Sequence, residues 1–460
     1  MVLLNFLYFL LFSINFAYTR DVWTTDQAWA WYQNLPNLVG SNYIPSYAIN
    51  QLEMFQTDTW NPTRIDEELS WAESIGMNTM RIFLHDLAYS QDPSGFKQRL
   101  DTLLTITDRH GVKPLFVLFD SCWDPLPKIG KQRDPYPGIH NPGWVQGPGA
   151  QALTDQSQYP RLETYVKDVV GTFANDSRVL FWDLWNEADN FGMGNYSSEE
   201  PQHKADLVNA LLPQVFDWAR SVNPTQPLTI CGFNFDPNNL DTLHKIQFNN
   251  SDIMTVHSYD SPSTFESIIK VYQTLNRPIV FTEYMARPQG STFVSILPVA
   301  RKYNVGAINW GFVNGKTQTN YPWDSWTRNY VQYPPEEWFH DVFRTDGTPY
   351  KREEVRVIKH FTGCPFGYQS KVDNWTCLNA DSTQLSWDAA QAACHKNYST
   401  LARIDNSFQN SDFTNYLTSK YNQCNKFYIG LYNSQGTWKW AVDDTIPFDG
   451  ISFRNWKSGK

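Results

Sequence analysis

The chain has 460 residues, 41% of them hydrophobic and 18% charged, a balance that is typical of globular proteins and excludes a disordered chain. Its length allows two or three domains, one of them with a core large enough for a barrel. The net charge is −10 and no basic block occurs, so we do not expect nucleic acid as a partner.

The N-terminal residues 1–16 read MVLLNFLYFLLFSINF, an uncharged apolar run that is short for a membrane span and typical of a secretory signal. We therefore predict a signal peptide over residues 1–19 and a secreted, extracellular protein with no membrane span in the mature chain. An uncleaved membrane anchor is the alternative. Five glycosylation sequons agree with export, and they lie at Asn175, Asn195, Asn249, Asn374 and Asn397.

Between residues 38 and 363, short β-rich runs alternate with helical patterns. Most of the runs are continuously apolar, as expected for strands that are buried on both faces. The eight candidate strands are residues 38–44, 79–84, 113–119, 179–184, 228–231, 253–258, 279–282 and 307–311. Eight strands with helices between them predict a (β/α)8 barrel, an α/β fold. A doubly wound open sheet is disfavoured, because no glycine-rich phosphate-binding turn follows the first strand.

The sequence after the first candidate strand predicts both ends of one helix. Asn61 can cap it, Pro62 suits its first turn, and Gly76 can terminate it. Two loops at strand ends are long, residues 120–159 and 312–338, and long irregular segments in a compact domain are usually functional. Both carry several aromatic residues, which suit stacking on sugar faces, so we interpret the loops as walls of a cleft. The alternative, aromatic side chains packed on the barrel rim, is expected for about half of them.

Two of the apolar runs deliver a glutamate at the C-terminal end of the strand. Glu187 follows the fourth candidate strand, and Glu283 follows the seventh. Catalytic groups sit at this end of a parallel barrel, and the fourth and seventh strands face each other across its mouth. Two carboxyl groups that face each other across a sugar are what glycoside hydrolysis requires, one as the acid and one as the attacking or water-activating group.

Other polar residues at strand ends fit the same site. An inward Arg81 on the second strand could hold one carboxylate ionised, and Tyr259 after the sixth strand could donate a hydrogen bond to Glu283. Asn186 could bind a sugar hydroxyl beside the acid, and His257 ends the sixth strand. Each of these alone is more often a structural group, so the hypothesis depends on all of them together.

Several of these residues carry a resemblance to a known family. Trp185-Asn186-Glu187, Phe281-Thr282-Glu283, Arg81, His257-Ser258-Tyr259 and Trp310 together resemble glycoside hydrolase family 5 and its clan A relatives, over roughly residues 23–363. Two further motifs resemble a cellulase-like subgroup that is labelled endo-xylanase or mannanase, and they are Asn42-Tyr43-Ile44-Pro45-Ser46 and Phe119-Asp120-Ser121-Cys122-Trp123.

The resemblance implies a role for each matching residue. Glu187 would be the acid/base and Glu283 the nucleophile of a retaining hydrolysis of β-linked mannan, xylan or glucan, with carboxyl groups about 5–5.5 Å apart. The residues expected to bind the substrate are Arg81, Asn186, His257, Tyr259, Trp310 and Trp123. No metal and no cofactor is expected.

Residues 364–460 differ from the rest in cysteine content, with four of the six cysteines of the chain. This clustering suggests a separate disulfide-stapled module. Its motifs resemble the C-type lectin-like domain, and they are Cys364-Pro365-Phe366-Gly367-Tyr368, Trp375-Thr376-Cys377, Ser386-Trp387-Asp388-Ala389-Ala390, Leu401-Ala402-Arg403-Ile404, Tyr428-Ile429-Gly430-Leu431 and Trp438-Lys439-Trp440. The resemblance implies a Cys364–Cys377 disulfide.

The family's later calcium-binding loop and last cysteines have no counterpart, so Cys394 and Cys424 lack clear partners and calcium-dependent sugar binding is not expected. We predict a barrel over residues 20–362 and an incomplete, α+β lectin-like domain over 363–460, with a possible glycan ligand of its own. The alternatives to an enzyme are a carbohydrate-binding protein with an inactive barrel and an adhesion lectin in which the barrel is a scaffold. The pattern does not distinguish endo from exo action.

Overall fold

A computed structural model describes residues 19–233, 240–362, 370–371, 377–378, 380, 383–396, 401–404, 407–421, 427–435, 437–440 and 443–447. Several predicted features lie outside the described residues, namely residues 1–18 of the predicted signal peptide, Cys364, Cys424, and the sequons at Asn374 and Asn397. The predicted Cys364–Cys377 disulfide therefore stays a prediction.

Eight parallel strands form one sheet that curls round until its first and last strands meet. The strands are β1 (Val39–Asn42), β2 (Thr79–Phe83), β3 (Lys113–Asp120), β4 (Trp182–Asn186), β5 (Leu228–Thr229), β6 (Met254–His257), β7 (Ile279–Glu283) and β8 (Gly306–Asn309). Their order is β5-β4-β3-β2-β1-β8-β7-β6, with β1 paired to β8. This order confirms the predicted (β/α)8 barrel and rules out the doubly wound sheet.

The seam between β5 and β6, the two ends of this order, is closed by side chains. The Thr229 and Thr255 hydroxyls lie 2.9 Å apart, and Thr255 Oγ1 donates to the Ile230 carbonyl at 2.8 Å. The Gln247 amide donates to the carbonyls of Ile230 and Thr255 at 2.7 and 2.8 Å. These groups satisfy backbone acceptors that a strand ladder would otherwise pair.

Twelve helices accompany the strands over residues 19–233 and 240–362. They are α1 (Thr25–Gln33), α2 (Gln51–Phe55), α3 (Pro62–Ser74), α4 (Asp86–Gln91), α5 (Pro93–Arg109), α6 (Ala150–Thr154), α7 (Tyr159–Thr172), α8 (Lys204–Ser221), α9 (Thr242–Asn250), α10 (Pro262–Gln273), α11 (Phe293–Tyr303) and α12 (Arg352–Thr362). Short 3-10 turns cover Gln156–Gln158, Arg287–Gln289 and Trp323–Trp326. No helix in the described part of the chain is both long enough and apolar enough to cross a membrane.

Helix α3 has the ends that its sequence predicts. The Asn61 side chain accepts a hydrogen bond from the Arg64 backbone N–H at 3.1 Å, and Pro62 occupies the first turn. Gly76 takes the left-handed conformation, with φ of 77°, just after the helix ends. The apolar face of α3 packs into the main hydrophobic core between the strands and the surrounding helices.

The C-terminal module is smaller and is described only in part. It contains α13 (Trp387–Lys396), α14 (Ser407–Lys420), a hairpin of β9 (Ser370–Lys371) and β10 (Cys377–Leu378), and three antiparallel strands, β11 (Leu431–Ser434), β12 (Thr437–Trp440) and β13 (Asp443–Pro447). The Trp387 indole donates to the Ile429 carbonyl at 2.8 Å and so joins α13 to the residues before β11. These elements match the predicted α+β class.

Candidate active site

The carboxyl ends of the barrel strands bring the predicted polar residues to one buried cluster. Arg81 lies on β2, His257 ends β6 and Glu283 ends β7, while Glu187 directly follows β4. All four side chains are buried. Glu187 also has a left-handed backbone, with φ of 44°, so the chain turns sharply at the residue that carries the carboxyl group.

The Glu283 carboxyl is held at both oxygens. Arg81 Nη1 donates to Oε1 at 2.8 Å, and the Tyr259 hydroxyl donates to Oε2 at 2.5 Å. His257 Nδ1 lies 3.6 Å from Oε2. These contacts fix the orientation of the carboxyl group and favour its ionised form.

Arg81 is fully buried and uses its other N–H groups to bind neighbouring strands. Its Nε and Nη2 donate to Asp183 Oδ2 at 3.1 and 2.7 Å, and Nη2 also donates to Asn186 Oδ1 at 2.7 Å. Its Nη1 further donates to Asn42 Oδ1 at 3.0 Å. A guanidinium with this many acceptors is pre-organised, because its planar fork leaves little rotational freedom to lose.

The Glu187 carboxyl has a different set of partners. His257 Nδ1 lies 2.8 Å from Oε1, while the Asn190 amide and the Cys122 thiol donate to Oε2 at 2.6 and 3.0 Å. No cation contacts this carboxyl directly among the described residues. Burial lowers the pKa of His257 to about 3, so its imidazole is neutral at ordinary pH.

The two carboxyl groups are close enough to act on one atom. One ligand atom each from Glu187, His257 and Glu283 lies within 4.8 Å of the other two. Three such residues could also hold a metal ion, but the Arg81 guanidinium already places a positive charge on Glu283 and would repel a second cation. The donor set therefore fits a pair of cooperating carboxyl groups better than a metal centre.

Burial raises the pKa of both carboxyl groups, since each loses the water that would solvate its charge. For Glu283, the charge of Arg81 and the Tyr259 hydrogen bond oppose this rise, while the charge of Glu187 adds to it. For Glu187, hydrogen bonds from Cys122 and Asn190 oppose it. Burial therefore acts against the ionised state of Glu283 that Arg81 and Tyr259 are expected to favour.

Asp120 at the end of β3 accepts hydrogen bonds that orient residues of the cluster. Its Oδ1 accepts from the Asn186 amide at 2.9 Å and from the Cys122 backbone N–H at 3.0 Å. Its Oδ2 accepts from the Trp144 indole at 2.6 Å. Asp120 thus orients the side chain that precedes Glu187 and the thiol that contacts it.

Two tryptophans that were expected to bind sugar, Trp123 in the first long loop and Trp310 just after β8, are buried. Trp123 is 5% exposed and stacks on Trp326, with ring centroids 5.3 Å apart and an interplanar angle of 20°. Trp310 is 9% exposed and meets the edges of Phe83 and Trp144. Trp123 and Trp310 therefore lie in the wall of the site, and the prediction that they bind sugar is untested by these contacts.

Three predicted glycosylation sites lie among the described residues, and their asparagines, Asn175, Asn195 and Asn249, are exposed. Exposure permits modification without demonstrating it.

Four residues of the cluster were not predicted as site residues, namely Asp183, Asp120, Cys122 and Asn190. A signal was present for Asp183, because it is the charged residue inside the apolar run 179–184 and must be paired once that strand is buried. Asn190 lies on an irregular turn and gave no pattern that could have been recognised.

Comparison with known proteins identifies the C-terminal module. The family model described as the lectin C-type domain matches residues 383–460, which confirms the lectin-like part of the predicted organisation. A search of curated proteins with the sequence found no match.

Solved structures similar to the barrel include three mannanases. The β-1,4-mannanase of the common sea hare Aplysia kurodai has 16% identity and a TM-score of 0.43, covering 60% of this chain and 88% of its own. The β-mannanase of the blue mussel Mytilus edulis has 17% identity and a TM-score of 0.42, covering 63% and 89%. The endo-1,4-β-D-mannanase of Thermotoga petrophila has 15% identity and a TM-score of 0.44, covering 71% and 99%.

Proposed function

We propose that the barrel is a retaining β-glycosidase in which Glu283 is the nucleophile and Glu187 the acid/base. The observation that carries this proposal is the pair of buried carboxyl groups within 4.8 Å of each other, each held by a different set of donors. This spacing suits direct attack on the sugar better than the wider gap that an inverting enzyme needs for a water molecule.

In the first step, a Glu283 oxygen attacks the anomeric carbon while the glycosidic bond breaks. The proton of the Glu187 carboxyl moves to the departing oxygen, so the leaving group departs as a neutral alcohol. Arg81 and Tyr259 hold the attacking carboxylate in place and stabilise its charge before the reaction. The product of this step is a sugar joined to Glu283 by an ester bond.

In the second step, Glu187 is ionised and takes a proton from a water molecule, which attacks the anomeric carbon and releases Glu283. The sugar leaves with its original anomeric configuration, because two inversions have occurred. Glu187 suits this exchange of roles because its partners are neutral, so no fixed charge holds it in one protonation state.

Electrostatic coupling supports this division of roles. Two buried carboxyl groups this close favour a state with one shared proton, because two negative charges would repel each other in a poorly solvated site. Arg81 contacts Glu283 and not Glu187, so the proton is more stable on Glu187. Neutral His257 can donate through Nδ1 to Glu187 without competing with Arg81 for the negative charge.

We further propose a β-linked mannan, xylan or glucan, or an oligosaccharide of these, as the substrate and the extracellular space as the location. The apolar N-terminal run and the exposed sequon asparagines support export. The lectin-like module would bind a glycan of its own near the site of hydrolysis.

The test is hydrolysis of β-1,4-linked mannose, xylose and glucose oligosaccharides by the full chain and by Glu283→Gln. The substitution should lower the rate by several orders of magnitude, because an amide does not form the ester. Glu354→Gln is a matched control, since Glu354 has the same 5% exposure and pairs with the buried Arg287 at 2.7 Å, away from the cluster. It should retain the activity of the unsubstituted chain.

A second variant separates the two roles. Glu187→Ala should be rescued by azide and form a β-glycosyl azide, because the ester at Glu283 still forms and azide needs no general base. Turnover retained in Glu283→Gln would contradict the nucleophile assignment. Absence of turnover by the unsubstituted chain, with oligosaccharide binding intact, would favour a carbohydrate-binding protein with an inactive barrel.

A further inference from the structure

The loops that follow β3 and β8 are joined to each other across the mouth of the barrel. The Asn141 backbone N–H donates to the Thr317 carbonyl at 2.8 Å, and the His140 backbone N–H donates to Ser325 Oγ at 2.9 Å. The Trp326 indole donates back to the His140 carbonyl at 2.9 Å. We call residues 136–141 and 317–326 together the bridge.

The remaining contacts of the bridge are also specific. Gln318 donates to the Tyr136 carbonyl and accepts from the Gly138 N–H, both at 2.8 Å. His140 is 1% exposed, its Nδ1 bonds to the Tyr321 carbonyl, and burial lowers its pKa to about 4. The imidazole therefore stays neutral above that pH, and titration does not open the bridge in the range where a glycosidase works.

Neighbouring loops close around the bridge. Trp326 stacks on Trp123 and meets the edge of Tyr196, which belongs to the loop after β4. On the other side, the Lys316 N–H donates to the Ser46 carbonyl in the loop after β1 at 3.0 Å. Because β1 and β2 lie between β3 and β8 in the sheet, these loops cover that side of the mouth.

Behind the bridge lies a narrow cavity beside Trp310 that is partly open to solvent, with an accessible volume of about 10 Å³. This is room for about one water molecule. Its lining includes Asn42, Phe83, Trp144, Thr317 and Asn141. The Asn141 Oδ1 is buried and has no hydrogen-bond partner among the described residues, so a sugar hydroxyl that donates to it would relieve an unpaired acceptor.

The proposed chemistry decides which half of the substrate occupies the closed side. The leaving group departs while the other half of the substrate stays bonded to Glu283, and water must then enter. The open side must therefore face the leaving group. The closed side holds the sugar that becomes attached to Glu283, and a chain that extended further in that direction would collide with the bridge.

We propose that this barrel acts from the non-reducing end of its substrate, and that the bridge closes the site beyond the terminal sugar, whose hydroxyl can reach Asn141 at the mouth of the narrow cavity. This inference rests on the proposed glycosidase function and deepens it, because it selects exo action from the two possibilities that the sequence left open. A cleft open at both ends would accept an internal segment of a polysaccharide, whereas a pocket closed on this side accepts only a chain end.

The experiment uses the full chain and β-1,4-linked tetrasaccharides of mannose, xylose and glucose, each labelled at the reducing end. Each is supplied with a free non-reducing end and with that end blocked by a 4-O-methyl group. The expected first products are an unlabelled monosaccharide and a labelled trisaccharide, with the blocked substrate cut at least about a hundredfold more slowly. Labelled monosaccharide or disaccharide as the first product, or equal rates on both substrates, would overturn the inference.

Binding separates a failure of this inference from a failure of the proposed function. If the chain cuts nothing, preference for the free over the blocked tetrasaccharide still supports a closed pocket, although the glycosidase function is then contradicted. Equal affinity for the free and the blocked tetrasaccharide contradicts a site that is closed beyond the terminal sugar. Tetrasaccharide binding that persists in Trp310→Ala is subtracted from the binding by the unsubstituted chain, because it arises away from the Trp310 side of the barrel site.

Variants of the bridge test its role directly. Trp326→Ala should raise the rate on the blocked substrate relative to the free one by about tenfold or more. Gln318→Ala, which removes only the two hydrogen bonds to residues 136–138, should change the ratio in the same direction if Trp326→Ala does not fold. Tyr333→Ala is the control, since Tyr333 is 68% exposed in the same loop. An unchanged ratio in both folded bridge variants would show that the bridge does not limit the substrate.

Discussion

Removal of a single hydroxyl group, in Tyr259→Phe, is expected to shift the pH at which the proposed hydrolysis begins. The Tyr259 hydroxyl donates to Glu283 Oε2 at 2.5 Å and so stabilises the ionised carboxylate. A hydrogen bond to a charged group contributes about 1.5–3 kcal/mol. Since one pKa unit corresponds to about 1.4 kcal/mol, the pKa of Glu283 should rise by about one to two units.

The assay is the pH dependence of kcat/KM, whose acid limb reports ionisation of the nucleophile in the free enzyme. Glu283 must be ionised to attack, so a higher pKa moves the acid limb of Tyr259→Phe upward by the same one to two units, while the alkaline limb moves less. Tyr284→Phe is the matched control, because Tyr284 is the next residue to Glu283, is buried, and has a hydroxyl without a partner among the described residues. An acid limb that stays in place in Tyr259→Phe would refute the assignment of Glu283 as the ionised group.

Three further outcomes follow from other contacts. Cys122→Ala removes a donor to Glu187, so the pKa of the acid should rise and the alkaline limb of kcat/KM should move up by roughly half to one pH unit; no movement would contradict the contact. Asp341 is buried with a pKa raised from 3.8 to about 6, so its stabilising contribution is complete below pH 3.8 and is lost as the pH rises through 6. In urea titrations, Asp341→Asn should therefore raise the free energy of unfolding at pH 7 by up to about 3 kcal/mol and leave it unchanged at pH 3.5, and an equal effect at both pH values would contradict this pKa. Gln247→Leu removes the amide that donates to the Ile230 and Thr255 carbonyls, of which Ile230 keeps the Thr255 hydroxyl as a donor. The free energy of unfolding should therefore fall by about 1–3 kcal/mol, and an unchanged urea midpoint would show that water replaces the amide.

The barrel was predictable from the sequence because strands buried on both faces leave continuous apolar runs. The ends of the strands were harder to predict. The fifth run was expected to cover residues 228–231, but β5 pairs only at Leu228–Thr229. The Ile230 carbonyl accepts instead from the side chains of Thr255 and Gln247, and such replacement of a ladder by side chains has no periodic pattern.

The candidate site was predictable where a carboxyl group lies at the end of a strand, as Glu283 does on β7 and as Glu187 does directly after β4. The groups that hold these residues were harder to identify. Asp183 on β4 binds Arg81 on β2, and the pairing depends on the order of the strands in the sheet, where only β3 lies between these two. The bridge could not be predicted, because His140 and Ser325 are 185 residues apart in loops without regular structure.

At Glu187, the left-handed backbone lowers the thermal stability of the fold, while the carboxyl group serves the catalysis that we propose. An L-residue in this conformation costs roughly 1–2 kcal/mol that glycine would not, and the buried carboxyl group adds its own desolvation. Glu187→Gly should therefore survive heating better than the active chain. A laboratory selection for heat resistance alone would discard the carboxyl group that we propose as the acid/base, and only a selection that also demands turnover would keep it.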